Sequence, residues 1–180
     1  MIRREVLRSL AMISPATTGV AAQERAGGST TMNLKIPASL KVEHEELHAE
    51  LGALTRAPGK VGEAASNVAA LLHPHFVKEE EYALPPLGLL ATVARGTVTA
   101  SMRPVVAMTD RLKRDLPEML AEHRTVVAAL EKLAKAGKTE GRADAERFAE
   151  KLRVHAETEE EVLYPAAILV GEYVKAQLGQ

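Results

Sequence analysis

The sequence contains no cysteine among its 180 residues. This absence excludes disulfides, zinc ribbons, iron–sulfur clusters and thiolate chemistry together. Any metal that the protein binds must therefore be held by histidine and carboxylate side chains. Such a ligand set suits iron, manganese, zinc or copper.

The sequence also lacks an excess of charge of one sign and a long apolar run. Its 23 basic and 24 acidic residues leave a net charge of −1, which indicates neither a nucleic-acid nor a membrane-surface partner. No apolar segment approaches the roughly 18 residues that a membrane-spanning helix requires. With 46% hydrophobic residues, the chain is expected to form one globular domain with a buried core.

Residues 1–31 differ in composition from the rest and are predicted to lie outside a folded domain that spans residues 32–180. Arg3 and Arg4 precede an uncharged segment, a pattern that resembles a twin-arginine export signal. The alternative is that translation begins at Met32. A signal predicts a periplasmic protein, whereas a start at Met32 predicts a cytoplasmic one.

From Met32 onward, apolar residues recur at three- and four-residue steps, the period of an amphipathic helix. The pattern predicts four long helices, A from about 38 to 57, B from 61 to 83, C from 104 or 109 to 136, and D from 142 to 164. Nothing alternates with the period of two that strands require. The predicted fold is all-α, an antiparallel four-helix bundle.

The prolines are expected to modify this bundle. Pro74 in helix B and Pro117 in helix C should each remove a hydrogen bond and bend the helix. Residues 85–102 are expected to form a connection across one end of the bundle. Pro165 should begin a short last helix.

A short motif occurs twice, 80 positions apart. His75 and Glu79 in helix B, and His155 and Glu159 in helix D, are each four residues apart and are followed by two more Glu and a proline. Residues four apart lie on one face of a helix. Each pair therefore directs a ring nitrogen and a carboxylate the same way.

A second repeat, at an offset of 79, places Glu43-His44 in helix A and Glu122-His123 in helix C. The A–B and C–D halves thus look like duplicates. A pseudo-twofold bundle would bring four His and two Glu together at its centre, namely His44, His75, Glu79, His123, His155 and Glu159. Buried carboxylates without partners are costly, whereas the same groups are satisfied as metal ligands. The repeat therefore predicts a metal site.

The sequence gives weaker evidence that the remaining histidines and acidic residues bind metal. His48 lies one turn after His44 on the same stripe, and either binds metal or lines the pocket beside it. His73 is about 200° around the helix from His75 and is expected to point outward. The other repeated acids are expected to form a solvated face, namely Glu80, Glu81, Glu160 and Glu161.

The sequence resembles the hemerythrin-like, or HHE cation-binding, domain family over about residues 36–173. The resemblance rests on the lone histidines of helices A and C and on the doubled His-x-x-x-Glu motif, whose second copy continues into Leu-Tyr-Pro. It implies two non-haem irons, with manganese or zinc as alternatives. It also implies terminal ligands and two bridging carboxylates, namely His44, His75, His123 and His155, bridged by Glu79 and Glu159. Ferritin-type di-iron proteins differ, since they need two Glu-x-x-His motifs and only one occurs here.

The chain departs from oxygen-carrying members of that family at one position. They have a fifth histidine on helix C, where this chain has Val127. His48 would supply a fifth histidine if the two halves were exchanged. Five histidines leave one iron a single open position, which suits reversible O₂ binding. Four leave both irons open, which favours NO, peroxide or redox chemistry.

Three functions are consistent with this pattern. The first is a di-iron protein that binds or senses O₂, NO or iron. The second is a di-iron oxidoreductase that acts on peroxide, with Tyr82 and Tyr164 close enough in sequence to act beside the metals. The third is a structural zinc or manganese site. In the first two cases the expected partner is a diatomic ligand or peroxide.

Overall fold

The computed structural model describes residues 34–179, which form helices and no strand. The helices are α1 (Ala38–Thr55), α2 (Gly59–Lys78), α3 (Leu90–Val93), α4 (Pro104–Glu140), α5 (Ala143–Thr158) and α6 (Tyr164–Gln177). The predicted helices A to D correspond to α1, α2, α4 and α5. Tight connections make α1 and α2, and likewise α4 and α5, antiparallel neighbours. The predicted helical bundle is confirmed.

The hypotheses about residues 1–31 concern a segment outside the described residues. Within residues 34–179, no helix is both long enough and apolar enough to cross a bilayer.

Helix α4 is longer than the sequence pattern suggested, because Gly137 lies inside it and not in a turn. A Cβ atom at Gly137 would lie 2.9 Å from the carbonyl oxygen of Arg142 and 3.1 Å from the Cβ of Ala145, so the packing of α5 requires glycine here. The helix ends instead at Gly141. Its φ of +70° is left-handed, a conformation that glycine adopts without steric penalty.

Helices α2 and α4 continue through Pro74 and Pro117. The unpredicted irregularities come at the ends of α2 and α5, where one turn of π-helix follows each, at Glu79–Ala83 and Glu159–Leu163. Such turns occur frequently at functional sites. Both of these begin at the carboxylate of the repeated motif.

Two apolar clusters fill the bundle on either side of a polar layer. The first includes Leu47, Leu72, Val126, Leu133 and Phe148, and the second includes Tyr82, Leu84, Leu112, Met119 and Tyr164. Along α4, for example, Met119 belongs to the second cluster, His123 to the layer and Val126 to the first cluster. The layer is therefore enclosed by apolar side chains, and low polarity strengthens electrostatic contacts inside it.

The connection between α2 and α4 contains α3 and two 3₁₀ turns, Pro85–Leu89 and Ala100–Met102. Leu89 and Met102 form a third apolar cluster with α6 residues that include Val170 and Val174. The connection therefore packs α6 onto the bundle beside the second cluster.

Candidate metal centre

Six of the seven predicted ligand residues meet in the polar layer. Four helices and the two π-turns supply them: His44, His75, Glu79, His123, His155 and Glu159. Each of these residues is at most 4% exposed. Their nitrogen and oxygen atoms form two groups, each with all atoms within 4.8 Å of one another, and Glu159 belongs to both. Four imidazoles and two carboxylates are thus enclosed together.

One side of the layer, here called the His75 end, contains His75, His123 and Tyr164. The Nε2 atoms of the two imidazoles are 2.7 Å apart, and His75 Nε2 lies 3.0 Å from Glu79 Oε1. Tyr164 donates its hydroxyl hydrogen to the same Glu79 oxygen. Its hydroxyl oxygen lies 3.4 Å from His75 Nε2 and 3.3 Å from His123 Nε2. Hydrogen bonds among the side chains of the His75 end therefore already satisfy several of its polar atoms.

The opposite side, here called the His44 end, contains His44 and His155. Nε2 of His155 lies 3.1 Å, and Nε2 of His44 lies 3.6 Å, from Glu159 Oε1. These are charge contacts without hydrogen-bond alignment. Five buried atoms consequently lack a hydrogen-bond partner within the described part of the chain, namely His44 Nε2, His155 Nε2, Glu79 Oε2, Glu159 Oε1 and Glu159 Oε2. Because leaving such an atom unpaired costs about 1–3 kcal/mol, this donor set fits a bound cation.

The carboxylates of Glu79 and Glu159 lie between the two ends. Glu79 directs Oε1 to the His75 end, and its Oε2 lies 3.9 Å from His44 Nε2. Glu159 directs Oε1 to the His44 end, and its Oε2 lies 3.5 Å from His123 Nε2. Each carboxylate thus presents one oxygen to each end.

The π-turns orient these carboxylates. In the first turn, the Leu84 N–H donates to the Glu79 carbonyl at 2.9 Å, and in the second the Tyr164 N–H donates to the Glu159 carbonyl. Both are i→i+5 bonds, which widen the turn and rotate the residues that follow. Leu84 and Tyr164 therefore occupy equivalent positions in the two halves, and only Tyr164 has a hydroxyl group.

Each imidazole also contacts a carboxylate through Nδ1. A carboxylate at this position fixes the ring orientation and leaves Nε2 to face the centre. The four pairs are His75 with Glu122 at 2.8 Å, His123 with Glu160 at 2.9 Å, His44 with Glu80 at 3.3 Å and His155 with Glu43 at 3.2 Å.

Glu80 and Glu160 are exposed, as expected for a solvated face, but each also contacts an imidazole Nδ1, which the sequence pattern did not predict. Glu81, the next residue, is exposed as well and pairs with Arg111 at 2.9 Å. One signal was available in the sequence, since both halves place acidic residues directly beside the repeated motif residues.

The carboxylates also change the proton affinity of the imidazoles. Burial alone would lower the pKa of His123, but the carboxylates of Glu159 and Glu79 outweigh it and raise this pKa to about 10. Burial is outweighed likewise at His155, where Glu159 raises the pKa to about 9. The pKa values of the two other imidazoles are raised for similar reasons. Burial would raise the pKa of Glu159, but His123 and the other imidazoles lower it well below its usual range.

These pKa shifts predict that metal binding releases protons. His123 and His155 hold protons at pH 7 because their pKa values lie above it, and a metal must displace those protons. Zn²⁺ affinity, measured by chelator competition, should rise by roughly two orders of magnitude between pH 7 and 8, about tenfold for each displaced proton. The rise should level off above about pH 10. An affinity that does not change between pH 7 and 8 would contradict this prediction.

His48, the seventh predicted ligand, lies outside the group. Its side chain is exposed, and its ring meets the Phe76 ring edge-on with centroids 4.9 Å apart. The same Phe76 ring stacks on His44 at 4.3 Å. His48 lies one turn along α1 from His44, and Phe76 packs beside both rings. His73 is exposed, as expected.

The two tyrosines that were expected near the metals differ in position. Tyr164 lies at the centre, as described above. Tyr82 is buried in the second apolar cluster, where its hydroxyl donates to Met119 Sδ at 3.6 Å. The guanidinium of Arg111 lies 4.1 Å from the centre of its ring. Tyr82 therefore belongs to the core beside the centre and not to the centre itself.

Comparison with known proteins gave one match. Residues 36–167 match the family model described as "Hemerythrin HHE cation binding domain". Comparisons with curated proteins and with solved structures gave none. The matched segment includes all six buried His and Glu residues and well over half of the chain. The chain therefore belongs to the hemerythrin HHE cation-binding domain family.

Proposed function

We propose that this protein binds two iron ions in the polar layer and that the iron pair binds a small ligand, namely O₂, NO or peroxide. The observation that carries the proposal is the position of Glu79 and Glu159. Each is buried, and each presents one oxygen to the His75 end and the other to the His44 end. A carboxylate in that position would hold two cations at once, one through each oxygen.

The chemistry of the donor set supports iron. Two buried carboxylates and four imidazoles supply oxygen and nitrogen ligands without thiolate, a combination that suits non-haem iron. When bound, an iron pair supplies open coordination positions and electrons for a diatomic ligand or peroxide. The chain itself supplies orientation, since the four carboxylates on Nδ1 hold each imidazole with Nε2 towards the centre.

Metal analysis of the full-length protein, expressed in iron-rich medium, tests this proposal. About two irons per chain are expected, together with a visible spectrum that responds to O₂ or NO. One metal per chain, or zinc in place of iron, would contradict it. Zinc would also give a colourless protein that does not respond to O₂.

A second function, oxidoreduction with peroxide, is favoured by the position of His48. With His48 outside, each end has two imidazoles, and both irons would keep an open position. Hydrogen peroxide should then be consumed over many turnovers, with O₂ release or with oxidation of an added reductant. Consumption that stops after about one equivalent per iron pair would contradict the enzyme and leave the binding function.

The position of His48 gives a direct prediction. His48→Ala should leave iron content, visible spectrum and O₂ response unchanged, because Phe76 separates this ring from the centre. His44→Ala, one turn earlier in α1, is the matched variant and should lose iron. If His48→Ala changed the spectrum or the O₂ response, His48 would be a ligand and the five-histidine arrangement would hold.

A further inference from the structure

The geometry points to two unequal metal positions: the His44 end binds a cation first, and Tyr164 opposes the second cation at the His75 end. This inference rests on the proposed function, since it assumes that the six buried His and Glu residues bind metal. It names one residue, Tyr164, that sets the difference between the two positions.

A cation at the His44 end replaces no aligned hydrogen bond, only the charge contacts of His155 and His44 with Glu159. Nε2 of His44 and Nε2 of His155 have no aligned partner in the described part of the chain, and the same holds for Glu159 Oε1 and Glu79 Oε2. The two nitrogens and Glu159 Oε1 converge within 4.8 Å of one another. Binding here satisfies buried atoms that are otherwise unpaired, and that makes binding favourable.

A cation at the His75 end must displace two existing interactions. The Nε2 atoms of His75 and His123 share a hydrogen bond at 2.7 Å, which requires a proton on one of them. Tyr164 donates to Glu79 Oε1, the oxygen that faces this end. Tyr164 is fully buried, so its hydroxyl has no water to replace the carboxylate when the cation takes it. Both interactions compete with the metal.

A third feature acts at the same end. Lys78 contacts Glu122 at 2.6 Å, and Glu122 is the carboxylate that holds His75 through Nδ1. The ammonium draws electron density from Glu122 and so makes His75 a weaker donor to metal. The three other carboxylates on Nδ1 have no Lys or Arg contact among residues 34–179.

The internal repeat explains why only one end has a tyrosine hydroxyl that donates to the bridging carboxylate. Tyr164 and Leu84 are the fifth residues after Glu159 and Glu79, and each closes its own π-turn. Leu84 has no group that can donate to the opposite carboxylate. At this position the duplicated halves therefore differ in a hydroxyl group, and this hydroxyl lies within 3.4 Å of both imidazoles of the His75 end.

Titration of the full-length protein with Co²⁺ alone, after removal of bound metal and without O₂, tests the inference. The d–d absorption and the heat of binding should show two steps of one equivalent each, with dissociation constants that differ by at least tenfold. His155→Ala should remove the first, tighter step. His123→Ala should remove the second step and keep the first.

Tyr164→Phe decides the role of the hydroxyl. A hydrogen bond to a charged group contributes enough that its loss should tighten the second step by roughly tenfold or more, and the first step should not change. Tyr82→Phe is the matched control, since it removes a buried tyrosine hydroxyl that contacts Met119 and not the centre. It should leave both steps unchanged.

The outcomes separate this inference from the proposed function. A single step that takes up two equivalents would overturn the inference and leave a two-metal protein. Two steps that do not respond to Tyr164→Phe would overturn the role of Tyr164. Failure of the wild-type protein to bind any Co²⁺ would contradict the proposed function itself. Circular dichroism of each variant before titration verifies that it is folded.

Discussion

Glu159→Ala should abolish the proposed iron pair, with iron content falling from the proposed two ions or so per chain to fewer than one. Glu159 is 1% exposed and its two oxygens face imidazoles of both ends, so that its loss removes a contact from each metal position. The variant should also unfold more easily, because breaking a buried charge group costs about 3–5 kcal/mol. Iron analysis and thermal unfolding measure the two effects.

Glu161→Ala is the matched control for this experiment. Glu161 lies in the same π-turn, but its side chain is exposed. The control should keep its iron, its spectrum and its melting temperature. Full iron content in Glu159→Ala would show that Glu159 does not contact the metals.

Gly171→Ala should be strongly destabilising although it lies far from the centre. A Cβ atom there would lie 1.8 Å from Oγ1, 2.5 Å from Cβ and 2.8 Å from Cγ2 of Thr109. Thr109 cannot turn away, since it is buried and its hydroxyl donates to the carbonyl oxygens of Val105 and Val106. α6 must therefore separate from α4, at a cost of about 3 kcal/mol and a Tm lower by roughly 6–12 °C.

Gly52→Ala is the matched control, because a Cβ atom at Gly52 has room where one at Gly171 does not. Gly52 lies inside α1, where a Cβ atom meets only Arg56 Nη1, at 3.7 Å. Alanine is the better helix former by about 1 kcal/mol, so this variant should be as stable as the wild type or more stable. A Tm for Gly171→Ala equal to that of the wild type would contradict the close approach of α4 and α6.

The position of Tyr164 also connects α6 to the chemistry. Tyr164 is the first residue of α6, and its hydroxyl donates to Glu79, 85 positions earlier in the chain. The contact of Gly171 with Thr109 holds the other part of the same helix. Packing of α6 therefore fixes where the hydroxyl lies relative to the His75 end.

Much of the centre was predictable because the period of the α-helix determines which residues of one helix share a face. His75 with Glu79, and His155 with Glu159, are four residues apart and share a face whatever the rest of the chain does. The two halves of the repeat then predicted which helices bring these pairs together. The length of α4 was mispredicted, since the role of Gly137 depends on how closely α5 approaches it.

The contacts around the six central residues could not be predicted, because they depend on how neighbouring helices pack against one another. The same spacing of four relates His44 to His48, yet His48 lies outside because Phe76 of another helix packs beside both rings. Glu80 contacts His44 Nδ1 at 3.3 Å across two helices, a contact that depends on how α1 and the end of α2 lie beside each other.

The sequence by itself determined the ligand types, the repeat, the helical bundle and the six residues at its centre, since cysteine is absent and the motif is doubled. Only the tertiary structure decided that each imidazole has a carboxylate on Nδ1, that His48 lies outside the central group, and that the Tyr164 hydroxyl lies at the His75 end. The physical reason is that contacts between helices depend on their rotation and axial register. Side-chain packing sets both of these, and periodicity along one chain segment does not.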